Sequence, residues 1–349
     1  MQHAILTLIR HAETTANLNR LLQGVTDSPV TVFGQAQIDA LARTWSTTLD
    51  SCPCSNQKSS TPTPSLTPKL DLPPPTLIVC SPIGRARKTA EAIFRACTPS
   101  QVRDQDGFIF DDLLDQECSG AGTRLDVATQ LILLGSKCLL VDPGLKEKDF
   151  GSKESTRGGV HVAGYPKASG PGESRIEFTK RAQRVGAEWL KVANHLALKS
   201  TPASHHTIPP HIVLVSHGMW INTFFQAHPP TTISHTSGQP EILPFAANTG
   251  IFSLKLQPVS VEQHAERTKA LKAKSGEREY STDLFRSNDT RHLANVKRQK
   301  GGFGRAAFDS KQRKLSSFFP SPPQQQPNID ESERDAAFNE ESPTKKRKK

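Results

Sequence analysis

Four segments of this chain carry charged and nucleophilic side chains, and each closely follows a run of apolar residues. The first is Arg10-His11-Ala12-Glu13-Thr14, after Ala4-Ile-Leu-Thr-Leu-Ile9, with Asn17 three residues on. The second is Cys80-Ser81-Pro82-Ile83-Gly84-Arg85-Ala86-Arg87-Lys88-Thr89, after Thr76-Leu-Ile-Val79. The third runs from Gly144 through Glu147 to Gly151, beyond Cys138-Leu-Leu-Val141, and the fourth is Ser216-His217-Gly218, closing Ile212-Val-Leu-Val215. Two histidines, two arginines and one glutamate form a set suited to phosphoryl transfer. A neutral imidazole at His11 can attack phosphorus and become a phosphohistidine. The transition state spreads negative charge over three equatorial oxygens. Arg10 and Arg85 offer permanently charged planar donors for them, and His217, if protonated, adds another. Glu147 can hand a proton to the leaving alkoxide and later take one from the attacking water. Asn17 is a candidate phosphate contact. No cofactor and no metal is called for.

Each assignment has a competitor. Arg-His by itself carries little information, since Arg291-His292 repeats the dipeptide in a polar stretch. Arg87 lies two residues from Arg85, on another side of a helix, and suits a solvated face. Glu117 follows Phe108-Ile-Phe-Asp-Asp-Leu-Leu, but the Lys-Glu-Lys-Asp-Phe-Gly context favours Glu147. His205-His206, in a Pro-rich loop, read as solvated residues rather than metal ligands.

The elements that must position these residues alternate in type. Strands are expected at 4–9, 76–80, 138–141 and 212–216, with a closing strand at 250–256. Helices are expected at 34–49, 85–95, within 119–135, at 176–198 and from Met219. In the long helix Ala182, Val185, Trp189, Val192 and Leu196 recur at spacings of 3, 4, 3 and 4, which marks a core stripe. Alternating strands and helices imply an α/β sheet with mostly parallel strands. In such sheets ligands bind beyond the carboxyl ends of the strands, where all four segments stand. The stretch 51–75 holds seven prolines and reads as a loop insertion. The Gly-rich stretch 151–174 reads as an irregular loop able to shape a substrate mouth.

Composition places the excess charge away from these motifs. The 349 residues carry 44 Lys+Arg and 34 Asp+Glu, a net +10, with a sequence pI of about 9.4 and mean hydropathy −0.49. Residues 262–349 hold 20 Lys+Arg and 13 Asp+Glu, so most of the excess is C-terminal and the body is nearly neutral. A nucleic-acid-binding body is therefore not implied, and at most weak contact by the tail is expected. No apolar run reaches the roughly 20 residues of a membrane span, and the first residues lack a signal-peptide pattern. Six cysteines without a Cys-x-x-Cys pair read as reduced thiols. Residues 1–258 are expected to form the folded domain. Residues 259–349 are expected to form a charged tail, with a candidate surface helix at 262–274 and disorder from about 275.

The body resembles the histidine phosphatase superfamily, phosphoglycerate-mutase-like branch. Arg10 to Thr14 with Asn17 matches its Arg-His-Gly/Ala-Glu-Thr signature, and Leu22-Gln23-Gly24 to Gly34 is similar to its next stretch. Ser81 to Ala90 is similar to the second arginine motif, Gly144 to Gly151 to the acid segment, and Ser216-His217-Gly218 to the second-histidine motif. Gly172-Glu173-Ser174 fits the pattern before the long helix. The acid segment departs from the family's Trp-Glu-Gly ending, with Ser152-Lys153-Glu154-Ser155 in its place. The resemblance implies a three-layer α/β/α sandwich, a phosphohistidine at His11, phosphate contacts from Arg10, Asn17, Arg85 and His217, and Glu147 as proton donor. Hydrolysis of a phosphate monoester is the default reaction.

In the tail, Gln312, Leu315, Phe318 and Phe319 have the spacing of a short plug for an apolar pocket. The pattern resembles the box that binds the sliding clamp, PCNA. The terminal run Lys345, Lys346, Arg347, Lys348, Lys349 resembles a nuclear localisation signal, so an import receptor and a nuclear location, with cytoplasm as the other compartment, are expected.

Overall fold

The computed structural model describes residues 2–45, 70–98, 109–110, 123–133, 139–199, 208–234, 243–259, 279–300 and 302–311. Residues 51–69 of the expected insertion, Glu117, His205-His206, the candidate helix at 262–274, the clamp-like box and the basic terminus lie outside them. The chain divides into two units, Met1–Phe308 and Asp309–Lys349. The strands, the helices and the four motifs all belong to the first unit.

Ten strands form among the described residues. They are β1 (Ala4–Arg10), β2 (Leu77–Cys80), β3 (Ile109–Phe110), β4 (Leu139–Val141), β5 (Thr156–Arg157), β6 (Val160–His161), β7 (His211–Ser216), β8 (Thr232–Ile233), β9 (Ile251–Pro258) and β10 (Tyr280–Asp289). Eight of them make one sheet, in the spatial order β3-β4-β2-β7-β1-β9-β10-β8. The five strands from β3 to β1 run parallel. β9 returns antiparallel beside β1, β10 antiparallel beside β9, and β8 pairs parallel with β10. β5 and β6 make a separate hairpin.

The central strands are apolar on both faces because helices cover both. Successive strand side chains point to opposite faces. Leu6, Leu8, Leu77, Val79, Ile212 and Leu214 therefore share one core with Val185, Trp189, Trp220 and Phe224. Ile5, Ile9, Ile78, Val213 and Val215 share the other with Leu41, Trp45, Ala86, Ala90 and Ile93. A short helix, α1 (Thr15–Leu18), follows β1. The helices of the second core are α2 (Val32–Trp45) and α3 (Gly84–Cys97); those of the first are α4 (Thr123–Leu133), α5 (Arg175–Lys199) and α6 (Gly218–Ala227). The three-layer α/β/α arrangement is the expected one, and the stripe of Ala182, Val185, Trp189, Val192 and Leu196 is buried throughout.

Two expectations are corrected. The stretch 151–174 is not wholly irregular, since it contains the β5–β6 hairpin. That hairpin docks on the Leu22 segment through Leu22 N–H to Thr156 O and Ser155 N–H to Leu22 O. More importantly, the folded body does not end near 258, and residues from about 280 to 308 are not a disordered tail. β10 adds a strand beyond β9, so β9 does not close the sheet. In β10, Thr282, Leu284 and Arg286 point inward, Arg286 pairing with Asp289 at 2.6 Å. A half-buried strand whose inward side chains are Thr, Leu and Arg has the period of a strand but no apolar alternation. His292, of the repeated Arg-His pair, is likewise buried, with Nε2 at 3.0 Å from Thr249 Oγ1.

Candidate active site

β1, β2, β4 and β7 run in the same direction and end at one edge of the sheet, so the four motifs meet there. His11 follows the last residue of β1 and is anchored by its N–H to Ser216 O. Its ring is buried, with Nδ1 2.7 Å from Ala12 O. A carbonyl only accepts, so Nδ1 carries the proton and Nε2 keeps its lone pair. That lone pair faces Arg85 Nε–H at 3.3 Å. Burial first, then the charges of Arg85 and Arg10, hold the ring well below the usual imidazole range, against the opposing bond to Ala12 O. His11 is thus neutral, with Nε2 unprotonated.

Arg85, on the first turn of α3, is almost wholly buried. Its Nη2 donates to Gly24 O at 2.6 Å and its Nη1 to Thr26 O at 2.9 Å, with Asp27 Oδ1 at 3.5 Å. The 24–27 segment that receives these bonds is held by Glu154. The Glu154 carboxylate accepts from Val25 N–H at 2.8 Å, Thr26 N–H at 2.7 Å, Phe150 N–H at 3.0 Å and the Thr26 hydroxyl. Gly24 must be glycine there, since a Cβ would stand 2.1 Å from Glu154 Oε1 and 2.4 Å from Lys148 O. Glu154 was legible only as part of a departure from a family pattern. A carboxylate that organises a loop by accepting backbone N–H groups leaves no spacing signal.

Arg10 donates from Nη1 to Ala246 O at 2.8 Å, and its guanidinium carbon lies 5.5 Å from the Phe245 ring centroid. Its Nε is buried and has no hydrogen-bond partner. Gly218 lets it sit close, because a Cβ at 218 would come within 3.3 Å of that Nε and 2.7 Å of Phe245 Cζ.

His217 is fully buried, its ring centroid 5.1 Å from that of His11. Ser81 Oγ lies 2.8 Å from His217 Nε2 and accepts from Ile83 N–H at 3.3 Å. The hydroxyl donates to that nitrogen or accepts from it according to the ring tautomer, and the other ring nitrogen is Nδ1. That Nδ1 is the second buried atom of the site with no hydrogen-bond partner. Burial, then Arg85, His11, Arg10 and Arg181, push His217 well below the usual imidazole range. The charged form considered from sequence is therefore disfavoured in the free protein.

Glu147 is buried, with Oε1 accepting from Lys148 N–H and Oε2 from Met219 N–H, both at 3.1 Å. Burial raises its pKa above the ordinary carboxylate value, against those two amides and the charges of Arg85 and Arg10. Arg181 holds the segment: it donates to Gly144 O at 3.0 Å, Lys146 O at 2.8 Å and Glu147 O at 3.3 Å, and pairs with Glu173 at 2.7 Å.

Asn17 stands in α1, which Thr14 caps. Its Oδ1 accepts from Thr14 N–H at 3.2 Å and its Nδ2 donates to Gln23 Oε1 at 3.2 Å. Asn248, overlooked in the sequence, joins Asn17 to the nucleophile segment. Its Nδ2 lies 2.9 Å from His11 O and 3.4 Å from Asn17 Oδ1. The segment Asn248-Thr249-Gly250 precedes a strand expected only to close the sheet, so nothing in its spacing marks it. Arg87 pairs with Glu91 at 3.2 Å on the half-exposed side of α3, as a solvated-face reading requires. Among the described residues no group of three or more His, Cys, Asp or Glu gathers to hold a metal ion.

An unpaired buried N–H costs about 1–3 kcal/mol. Arg10 Nε is such an atom, and the unpartnered His217 Nδ1 stands with it in the residue cluster around His11 and Arg85. This electropositive, water-poor arrangement can bind an anion and can present an unprotonated imidazole nitrogen to it.

No curated protein matches this chain significantly. Among solved structures, a phosphoglycerate mutase from Bacillus anthracis str. Sterne is 13% identical with a TM-score of 0.44, covering 84% of this chain and 97% of its own. A mycobacterial glucosyl-3-phosphoglycerate phosphatase is 17% identical with a TM-score of 0.43, covering 82% and 100%. A mutant phosphoserine phosphatase from Entamoeba histolytica, in complex with phosphoserine, is 19% identical with a TM-score of 0.39, covering 83% and 99%. These values are too low to say anything of this chain's chemistry. The sequence itself gives the more direct match: residues 6–60, which include Arg10, His11 and Asn17, fit the family model of the histidine phosphatase superfamily, branch 1.

Proposed function

We propose that the protein is a metal-independent phosphatase that hydrolyses phosphate monoesters through a phosphohistidine at His11. The observation that carries this reading is the pairing of a neutral His11, unprotonated at Nε2, with two unpartnered buried nitrogens, the Arg10 Nε–H and His217 Nδ1. In the first step the His11 Nε2 lone pair forms a bond to phosphorus and the ester P–O bond breaks. Arg10, Arg85 and the His217 N–H stabilise the equatorial oxygens, each such donor contributing about 10²–10³ in rate. Asn17 contributes a further phosphate contact. Glu147, in which burial favours the protonated form, gives its proton to the leaving alkoxide. In the second step water attacks phosphorus, Glu147 takes the water's proton, the N–P bond breaks, and phosphate leaves with His11 restored.

The test is turnover of an aryl phosphate in EDTA, with acid-labile labelling of the enzyme. No turnover from acid to neutral pH, together with no labelled intermediate, would sink the proposal. Transfer of the label to an added alcohol in preference to water would instead point to a phosphotransferase of the mutase kind.

The tail suggests where such an enzyme acts. We propose that Gln312, Leu315, Phe318 and Phe319 dock on the sliding clamp and that Lys345–Lys349 direct the protein to the nucleus. Support is the sequence alone: a four-position apolar pattern flanked by basic residues, and an all-basic terminus. A pull-down should lose the clamp when Phe318→Ala and Phe319→Ala are combined, and equal recovery would refute the docking. A chain that still concentrates the clamp but never turns over phosphate would be a binding scaffold.

A further inference from the structure

Arg298 lies 285 residues from Glu13 in sequence, yet the two side chains form a fork. Arg298 Nη1 bonds Glu13 Oε1 at 2.9 Å and Nη2 bonds Oε2 at 2.5 Å. The guanidinium also packs over Phe33, its carbon 4.2 Å from the ring centroid, and Nη1 reaches Gly304 O at 3.2 Å. A bidentate pair fixes a carboxylate in angle as well as in distance. Glu13 Oε1 also accepts from Thr31 Oγ1 at 2.8 Å. The carboxylate is therefore held between the start of α2 and a stretch near the end of the folded unit.

What Glu13 transmits is the orientation of one peptide plane. Its N–H donates to Gln37 Oε1 at 2.9 Å. The same peptide unit contains Ala12 O, the acceptor of His11 Nδ1 at 2.7 Å. A peptide unit is planar, so a rotation that draws the N–H from Gln37 also turns the carbonyl away from the imidazole. With the carbonyl in place, the ring proton stays on Nδ1 and Nε2 keeps its lone pair. With the carbonyl displaced, only the Arg85 Nε–H at 3.3 Å still disfavours a proton on Nε2, and a ring protonated there ceases to be a nucleophile.

We infer that Arg298 is a positioning residue for His11, holding Glu13 and hence the Ala12–Glu13 peptide in the orientation that selects the reactive tautomer. The inference rests on the reading of His11 as nucleophile. It makes residues from the expected tail part of the catalytic unit. The alternative is that the ion pair only fastens the C-terminal stretch to the body.

The two differ in what Arg298→Gln does to the His11 ring. The full-length protein, labelled with ¹⁵N-histidine and assigned with His11→Ala, should show His11 protonated at Nδ1 alone. In Arg298→Gln a population protonated at Nε2 should appear. In the same variant kcat for an aryl phosphate should fall about tenfold, with KM within about twofold, because misplacing a reacting group slows the step without weakening binding. Arg298→Lys, which keeps the charge but not the fork, should recover part of kcat, and the exposed neighbour variant Lys297→Gln should match the wild type. If Arg298→Gln melts lower but keeps the wild-type His11 tautomer and the wild-type kcat per folded molecule, the inference is wrong. If Arg298→Gln does not fold, Glu13→Gln is judged by the same two readouts. The tautomer is read without turnover. A wild type that shows the Nδ1-H form, and loses it in the variant, but hydrolyses nothing would therefore refute the phosphatase and uphold the positioning.

Discussion

At the scale of single residues, the site is governed by what burial does to three titrating groups. His11 and His217 are held neutral and Glu147 is pushed toward its protonated form, burial being the largest cause in each case. The reaction needs a neutral His11 and a protonated Glu147. A lowered His11 leaves the acidic side active, and a raised Glu147 makes kcat fall only as pH climbs above the ordinary carboxylate range. The alkaline limb should therefore belong to Glu147 and disappear from the profile of Glu147→Gln. A limb that survives that substitution would assign it elsewhere. Glu147→Gln should slow poor leaving groups by about 10²–10⁴ and good ones far less, since only the former need a proton; equal slowing of both would remove Glu147 from the acid role. His11→Ala should abolish both turnover and the phosphoenzyme. Gly218→Ala should lower activity markedly, because the added methyl meets Phe245 and the Arg10 guanidinium. The check is a panel of kcat values on protein shown by circular dichroism to be folded, and wild-type rates in Gly218→Ala would contradict the crowding.

At the scale of elements, the last strand is the informative one. Leu284 on β10 is fully buried in the core that also contains Leu254, its partner on β9. Leu284→Ala should destabilise the protein by about 2–5 kcal/mol, the usual range for a large-to-small core change, measured as a fall in the urea midpoint. No change would return residues 280–289 to the tail. β10 also carries Asn288. Asn288 Oδ1 accepts from Ala247 N–H at 2.8 Å and Nδ2 donates to Phe245 O at 3.3 Å, and so it braces the segment that touches Arg10 and His11. The strands β1, β2, β4 and β7 were legible because burial on both faces demands unbroken apolar runs. β10 was not, since its inward side chains include a threonine and an arginine neutralised by an aspartate three residues on.

At the scale of the whole molecule, stability should depend on pH through two buried histidines that take no part in the proposed reaction. Burial lowers His211 to about 4 against the opposing Pro73 carbonyl, and His292 to about 4 against Asp289. Their folded values lie below the ordinary 6.5, so the unfolded chain binds protons first. Their contribution is complete above about pH 6.5 and is lost as pH falls toward 4, by about 2 kcal/mol per histidine at pH 5. Urea midpoints at pH 7 and pH 5 test this, and an unchanged midpoint would show that these rings are protonated at little cost in the fold.

By itself, the sequence determined the layers of the fold and singled out His11, Arg10, Arg85, Glu147 and His217 as one candidate group. Both follow from local properties, namely the periodicity of apolar runs and the placing of polar residues directly after them. Only the tertiary structure decided that the His11 Nδ1 meets a carbonyl, that burial lowers His217, and that Glu154, Asn248 and Arg298 bond to the segments of the site. These depend on partners distant in the chain and on exclusion of water, and neither is encoded in spacing along a single segment. The same reason accounts for the boundary near Phe308. A polar, charged stretch is indistinguishable from a solvated tail until its hydrogen bonds and its one buried leucine find a strand to meet.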